Sequence, residues 1–215
     1  MSILPEEIKQ ELQKAFKKKL ENPVTINYFT QELECPSCQQ THQLLNEVVS
    51  LSDKIILTTF RFDIDKKKRD TFQIDKIPAI IIMDKKDYGI RFYGLPGGYE
   101  FSTFIEDILM VSRAKTDLTA ENTEKIKTLS NPLHIQVFIT NTCPHCPAAA
   151  QAAHKLAFIS DKIRADVIDA REFSTLSRKY NVFGVPKTIV NEKITFEGAL
   201  PIEQFIEQLL SADKL

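Results

Sequence analysis

A chain of 215 residues is too long for one small module and long enough for two domains of about a hundred residues each. Its 43% hydrophobic and 27% charged residues are ordinary for a globular protein, and 28 basic against 29 acidic side chains leave a formal charge of −1, which supplies no overall field for nucleic acid or an anionic membrane. No apolar run reaches the length of about eighteen residues that a membrane span needs, and the opening Met1-Ser2-Ile3-Leu4-Pro5-Glu6-Glu7 lacks the basic and apolar regions of a secretion signal, so the expected compartment is the cytoplasm.

In chain order, Pro5 opens a helix to about Leu20, and Val24 to Thr30 is a short strand. Cys35 sits at a strand-to-helix turn, and the helix continues through Leu44, Leu45, Val48, Val49 and Leu51 at helical spacing. Ile55 to Phe62 is the next strand, and the Lys-rich stretch Asp65 to Asp75 holds a helix and a loop. Ala79 to Met83 and Gly89 to Tyr93 form two strands, followed by a helix from about Phe101 to Val111. Thr119 then caps a helix to about Leu129. Strands follow at Ile135 to Ile139 and Ala165 to Ile168, with an Ala-rich helix, Ala148 to Ala157, between them. Two more strands, Lys187 to Val190 and Lys193 to Phe196, precede a closing helix, Ile202 to Leu210.

The two halves repeat one another. Cys35-Pro36-Ser37-Cys38 and Cys143-Pro144-His145-Cys146 lie 108 residues apart, and the same offset carries Ser52-Asp53-Lys54-Ile55 onto Ser160-Asp161-Lys162-Ile163 and Ile77-Pro78 onto Val185-Pro186. The fold class is therefore α/β, in two tandem units of about 1–114 and 115–215, each a central mixed sheet flanked by helices.

Four cysteines are too few for a disulfide-rich scaffold, and their arrival as two C-x-x-C pairs points to metal or redox chemistry. Each pair alone offers two ligands, while a structural zinc site needs four close together, so no metal is expected. A C-x-x-C at a helix start instead places its first sulfur near unpaired backbone N–H groups and the positive end of the helix dipole, which favours thiolate. Cys35 and Cys143 are then the nucleophiles and must be open to attack. Cys38 and Cys146, a turn deeper, are the resolving thiols, and Pro36 and Pro144 stiffen the first turn of the helix.

C-P-x-C after an apolar strand, with Ile-Pro or Val-Pro ending 43 residues beyond the first cysteine, resembles the thioredoxin and glutaredoxin superfamily. Two such units resemble in particular the tandem-thioredoxin-fold protein disulfide oxidoreductases, also called glutaredoxin-like proteins. The resemblance implies cis bonds at Ile77-Pro78 and Val185-Pro186, packed against redox-active disulfides Cys35–Cys38 and Cys143–Cys146. It also implies that backbone beside the prolines pairs with an extended substrate segment, and that no cofactor is bound. The expected partners are protein disulfides and a recharging thioredoxin-reductase-like flavoprotein. The pattern departs from many thioredoxins in having no Trp before the first cysteine and no carboxylate in the preceding strand, which leaves the general base for Cys38 and Cys146 unassigned.

The two sites differ in charge. Glu32 and Glu34 precede the first pair, whereas the second has His145 inside it and Lys187 after its proline, so Cys143 is expected to have the lower pKa and the second site to be the more oxidising. The leading activity is reduction, formation or isomerisation of protein disulfides. The alternatives are a dedicated electron relay, as in the tandem-fold domain of alkyl hydroperoxide reductase flavoproteins with a peroxiredoxin as partner, and a redox-controlled binding or chaperone protein. In the relay family one unit keeps its cysteines, and here both do. The Lys17 to Lys19 and Lys66 to Arg69 runs are read as solvated surface.

Overall fold

The computed structural model describes residues 2–214, which gather into two compact units. The first runs to Asp87 and takes in Tyr93–Leu95 and Ile108–Lys115; the second comprises Tyr88–Phe92, Pro96–Asp107 and the described chain from Thr116 onward. Among the described residues, no helix is long and apolar enough to cross a membrane.

In the first unit, α1 (Glu6–Lys19) has Glu6 and Glu7 in its first turn and three lysines in its last, matching its dipole at both ends. Strand β1 (Val24–Thr30) lies between two others. It runs parallel to β2 (Ile55–Arg61) and antiparallel to β3 (Ala79–Met83), with Tyr28 opposite both Thr59 and Ile80. A strand flanked on both edges and covered on its faces must be apolar nearly throughout, and Val24, Ile26, Tyr28 and Phe29 are all fully buried. Helix α2 (Cys38–Val49) lays Leu44, Leu45 and Val48 into this core, and α3 (Lys66–Thr71) is a short exposed helix. The amides of Ile3 and Leu4 and the Ser2 hydroxyl donate to Glu47 on α2. Burial raises the Glu47 carboxyl, but these donors and Lys9 outweigh it and hold the group at about 2, far below the usual range.

Strand β4 (Asp87–Tyr93) and helix α4 (Glu100–Arg113) follow. In the second unit, Thr119 Oγ1 accepts the Asn122 amide and caps α5 (Ala120–Lys127), as its side chain predicts. Strand β5 (Leu133–Ile139) repeats the role of β1, parallel to β6 (Ile163–Asp169) and antiparallel to β7 (Lys187–Val190), with β8 (Ile194–Glu197) beyond. Helix α6 (Cys146–Ile159) turns small residues inward: Ala149, Ala150, Ala153 and Ala157 are buried. Helices α7 (Ser174–Lys179) and α8 (Ile202–Ala212) complete the unit.

Two local expectations are corrected. Helices α2 and α6 begin at the second cysteine of each pair, so Pro36 and Pro144 sit in the turn ahead of the helix rather than inside its first turn. The final strand starts at Ile194, not Lys193, because Asn191 and Glu192 both adopt left-handed conformations, φ 48° and 58°, that make a tight turn.

Candidate dithiol sites

In both units the central strand ends just ahead of the cysteine pair, and the X-Pro bond opposite it is cis at Ile77-Pro78 and Val185-Pro186. The first pair is a Cys35–Cys38 disulfide, and the second is present as two thiols. Among the described residues, no cluster of three or more His, Cys, Asp or Glu is placed to hold a metal ion.

At the second pair both cysteines are buried, Cys143 with 9% of its surface exposed and Cys146 with none, which departs from the open nucleophile expected from the sequence. The Cys143 thiol lies 3.7 Å from the carbonyl oxygen of Val185, the residue before the cis-proline. Cys146 is pushed well above the usual thiol range, first by burial and then by the neighbouring Cys143 thiol, with the nearby Glu100 charge acting in the same direction. A thiol held so firmly in its protonated form needs an acceptor for its proton before it can attack.

A buried carboxyl that the sequence does not disclose acts on Cys146 through its charge. Glu100, in the first turn of α4, is fully buried, and among the described residues neither carboxylate oxygen has a hydrogen-bond partner of good geometry. Burial raises its pKa to about 7; the Thr103 hydroxyl and His154 oppose the rise, while Asp107 and Asp169 add to it. Gly98 makes the approach possible. Its φ is +55°, a Cβ there would overlap the Asn141 carbonyl oxygen, and the next amide, Tyr99 N–H, donates to that same oxygen at 3.0 Å. Asn141 lies two residues ahead of Cys143, so this contact ties the start of α4 to the redox turn. Gly98→Ala is therefore expected to cost at least about 1–3 kcal/mol of stability in chemical denaturation, from left-handed strain alone.

A second buried pair lies two turns further along α4. Asp107 Oδ2 is 2.6 Å from His154 Nδ1, and the other ring nitrogen of His154 faces the Arg91 carbonyl at 3.2 Å. A carbonyl only accepts, so Nε2 carries a hydrogen and the Asp107–His154 contact shares the remaining proton. Glu100 and Asp107 are seven residues apart on α4, and Cys146 and His154 eight apart on α6, so both pairs join the same two helices.

The first site is built differently. Among its described residues, the buried polar side chains Asn27, Thr41 and Ser112 are all un-ionisable. Tyr28 donates its hydroxyl to the Cys38 carbonyl at 2.7 Å and stacks on His42. At the repeat offset of 108, Asp169 of the second unit is replaced by Arg61. Arg61 pairs with Glu32 at 3.1 Å and with Asp63 at 3.2 Å, which offsets the acidic charge read from the sequence.

Of the charged residues singled out from sequence, Glu34 is exposed with φ 58°, and His145 is exposed at the residue preceding α6. Lys187 donates to the Asn181 carbonyl at 2.9 Å and lies 3.6 Å from Glu197. Glu100, Asp107 and His154 escape a reading of the sequence, because an acid in a first helical turn looks like dipole complementation, and a His on an Ala-rich helix gives no sign of its partner.

A family model described as a thioredoxin domain matches residues 133–211. The strand arrangement repeated in the two units, each with a C-P-x-C turn and a cis-proline, matches tandem thioredoxin-like units in solved structures. The chain is similar to a protein disulfide oxidoreductase from Aeropyrum pernix K1, with a TM-score of 0.93 and 26% identity over 100% of this chain and 95% of that one. It is also similar to the alkylhydroperoxide reductase AhpF from Enterococcus faecalis, with a TM-score of 0.89 and 27% identity over 96% of this chain and 99% of that one. The corresponding alkyl hydroperoxide reductase component from Pseudomonas aeruginosa is 26% identical over 77% of this chain and 30% of its own length. The chain spans about a third of the curated relatives it matches.

Proposed function

We propose that the protein is a dithiol–disulfide oxidoreductase acting on protein disulfides, with Glu100 as proton acceptor at its second site. The observation that carries this reading is a buried Cys146 thiol, its pKa strongly raised, that feels the charge of a buried carboxyl titrating at about 7.

The Cys143 thiolate attacks one sulfur of the substrate disulfide, forming a mixed disulfide and expelling the other sulfur as a thiolate that takes up a proton. Cys146 then gives its proton to Glu100 and attacks the Cys143 sulfur. The Cys143–Cys146 disulfide forms, the second substrate thiolate leaves, and two electrons have passed from the protein dithiol to the substrate. Backbone beside Val185 and Pro186, whose Val185 carbonyl lies 3.7 Å from the Cys143 sulfur, would pair with an extended substrate segment, and Ile77 and Pro78 would have the equivalent role at the first site. A thioredoxin-reductase-like flavoprotein would return the electrons.

Insulin-disulfide reduction by dithiothreitol tests the assignment. With Cys35 and Cys38 replaced by serine, the remaining activity is expected to fall to background on Cys143→Ser. Cys146→Ser is expected to accumulate a mixed disulfide instead. Activity that survives Cys143→Ser would sink the reading.

The relay reading is supported by the likeness to the AhpF proteins. Trapping with Cys146→Ser separates the two: many captured proteins support a general oxidoreductase, and one peroxidase supports the relay.

A further inference from the structure

Cys38 is 3% exposed, so the resolving thiol of the first site also has to lose its proton out of reach of bulk water. The device of the second site is missing here: among the described residues of the first unit, no acid is fully buried. The acids nearest the pair in the chain, Glu32 and Glu34, are exposed, and Glu32 is held by Arg61. Asp65, ahead of α3, accepts the Arg61 amide at 2.6 Å, and Glu47 is committed to the amides of Ile3 and Leu4.

What the fold places near Cys38 instead is an imidazole. His42, the only histidine of the first unit, lies four residues after Cys38, which opens α2. Residues so spaced share one helix face, with Cβ atoms about 5–6 Å apart. Tyr28 fixes the ring: the two centroids are 5.7 Å apart with planes inclined by 25°, and the Tyr28 hydroxyl donates to the Cys38 carbonyl at 2.7 Å. One side chain thus touches both the imidazole and the backbone of the cysteine. His42 is half-buried, so a proton that it accepts can pass on to solvent. Thr41, three residues after Cys38, is fully buried, and its hydroxyl has no hydrogen-bond partner among the described residues.

The second unit reverses the arrangement. Strand pairing sets Tyr28 opposite Thr59 and Ile80, and Val137 opposite Val167 and Thr188, so Tyr28 and Val137 hold the same place in their units. On the helices the offset of 108 carries Thr41 and His42 onto Ala149 and Ala150. Val137, Ala149 and Ala150 are all buried. The unit with a buried carboxyl acting on its resolving thiol is apolar at these three places, and the unit without one has a phenol, a hydroxyl and an imidazole.

We propose that His42 is the proton acceptor for Cys38, so that the two dithiol sites run on different bases. The inference rests on the oxidoreductase reading and assigns a further residue to it. After the Cys35 thiolate has formed a mixed disulfide with substrate, the Cys38 thiol passes its proton to the free nitrogen of the neutral His42 ring. The Cys38 thiolate attacks the Cys35 sulfur, the bond between Cys35 and the substrate sulfur breaks, and the Cys35–Cys38 disulfide forms. The substrate sulfur leaves with the bonding electron pair and takes up a proton, and the imidazolium gives its own to solvent.

The test uses the full chain with Cys143 and Cys146 replaced by serine and the first site reduced. Its probe is a disulfide-linked peptide in single turnover. Quenching with acid and weighing the protein by mass spectrometry separates formation of the Cys35 mixed disulfide from its decay. His42→Gln is expected to slow the decay about 100-fold, as loss of a positioned base does, and to leave the formation unchanged. His42→Ala is expected to behave alike and to recover when free imidazole is added. A decay that keeps its rate in His42→Gln overturns the proposal. So does equal slowing of both steps, or a slowed His42→Ala that imidazole does not relieve, since the ring would then only pack on Tyr28 and hold α2 in place. A starting protein that forms no mixed disulfide at all would overturn the oxidoreductase reading of this site itself.

Discussion

Glu100→Gln is expected to make the second site slower and the protein more stable at the same time. In the native chain the buried carboxyl titrates at about 7 instead of 4.5, so the folded state keeps a proton that the unfolded state has already lost. Folding is therefore penalised progressively as pH rises from about 4.5 to about 7, and fully above that. The gap is worth about 3 kcal/mol. The isosteric amide cannot ionise, so Glu100→Gln should match the native protein in urea denaturation below pH 4.5 and exceed it by about 3 kcal/mol at pH 8. Catalysis moves the other way. With both first-site cysteines replaced by serine, release of the second product is expected to rise with pH through about 7 in the native protein and to fall about 100-fold at pH 8 in the variant. An unchanged rate would remove Glu100 from the mechanism, and an unchanged stability would show that burial does not strain the carboxyl.

The Asp107–His154 pair carries the other large effect. Both side chains are almost wholly buried and joined at 2.6 Å, and burial raises the Asp107 pKa against the pull of His154. Deleting one member leaves the other buried without its partner. Asp107→Ala and His154→Ala are each expected to lower stability by about 3–5 kcal/mol. The double variant is expected to cost well under the sum, because the orphaned group is gone as well. Additive losses in denaturant melts would mean that the two residues stabilise the helices separately. Because Asp107 and His154 both act on Glu100 electrostatically, the pH midpoint of product release is expected to shift in the single variants as well.

The strands and the cysteine turns are legible in the sequence because they depend on local pattern. A period of two or a continuous apolar run marks a strand, and β1 and β5 emerge where Val24–Thr30 and Ile135–Ile139 place them. The start of α6 is less legible: Pro144 reads as a first-turn residue but lies in the turn before the helix, which begins only at Cys146. The partners of Lys187 are not legible either: its ammonium is engaged by the Asn181 carbonyl and Glu197. A lysine has a long, flexible stem, and sequence spacing does not say which acceptor it reaches.

The sequence by itself determined that the chain is a duplicated α/β unit and that each copy carries a C-x-x-C pair and, 43 residues beyond its first cysteine, an X-Pro bond, because motif, offset and periodicity are written in residue order. Only the tertiary structure decided which buried groups set the two sites apart. It brings Glu100 from 46 residues upstream to Cys146, seats His154 against Asp107, and leaves the first unit, among its described residues, without a fully buried acid or imidazole. The physical reason is desolvation. A carboxyl becomes a proton acceptor tuned near neutrality only when packing strips it of water, and that depends on which distant helices close over it.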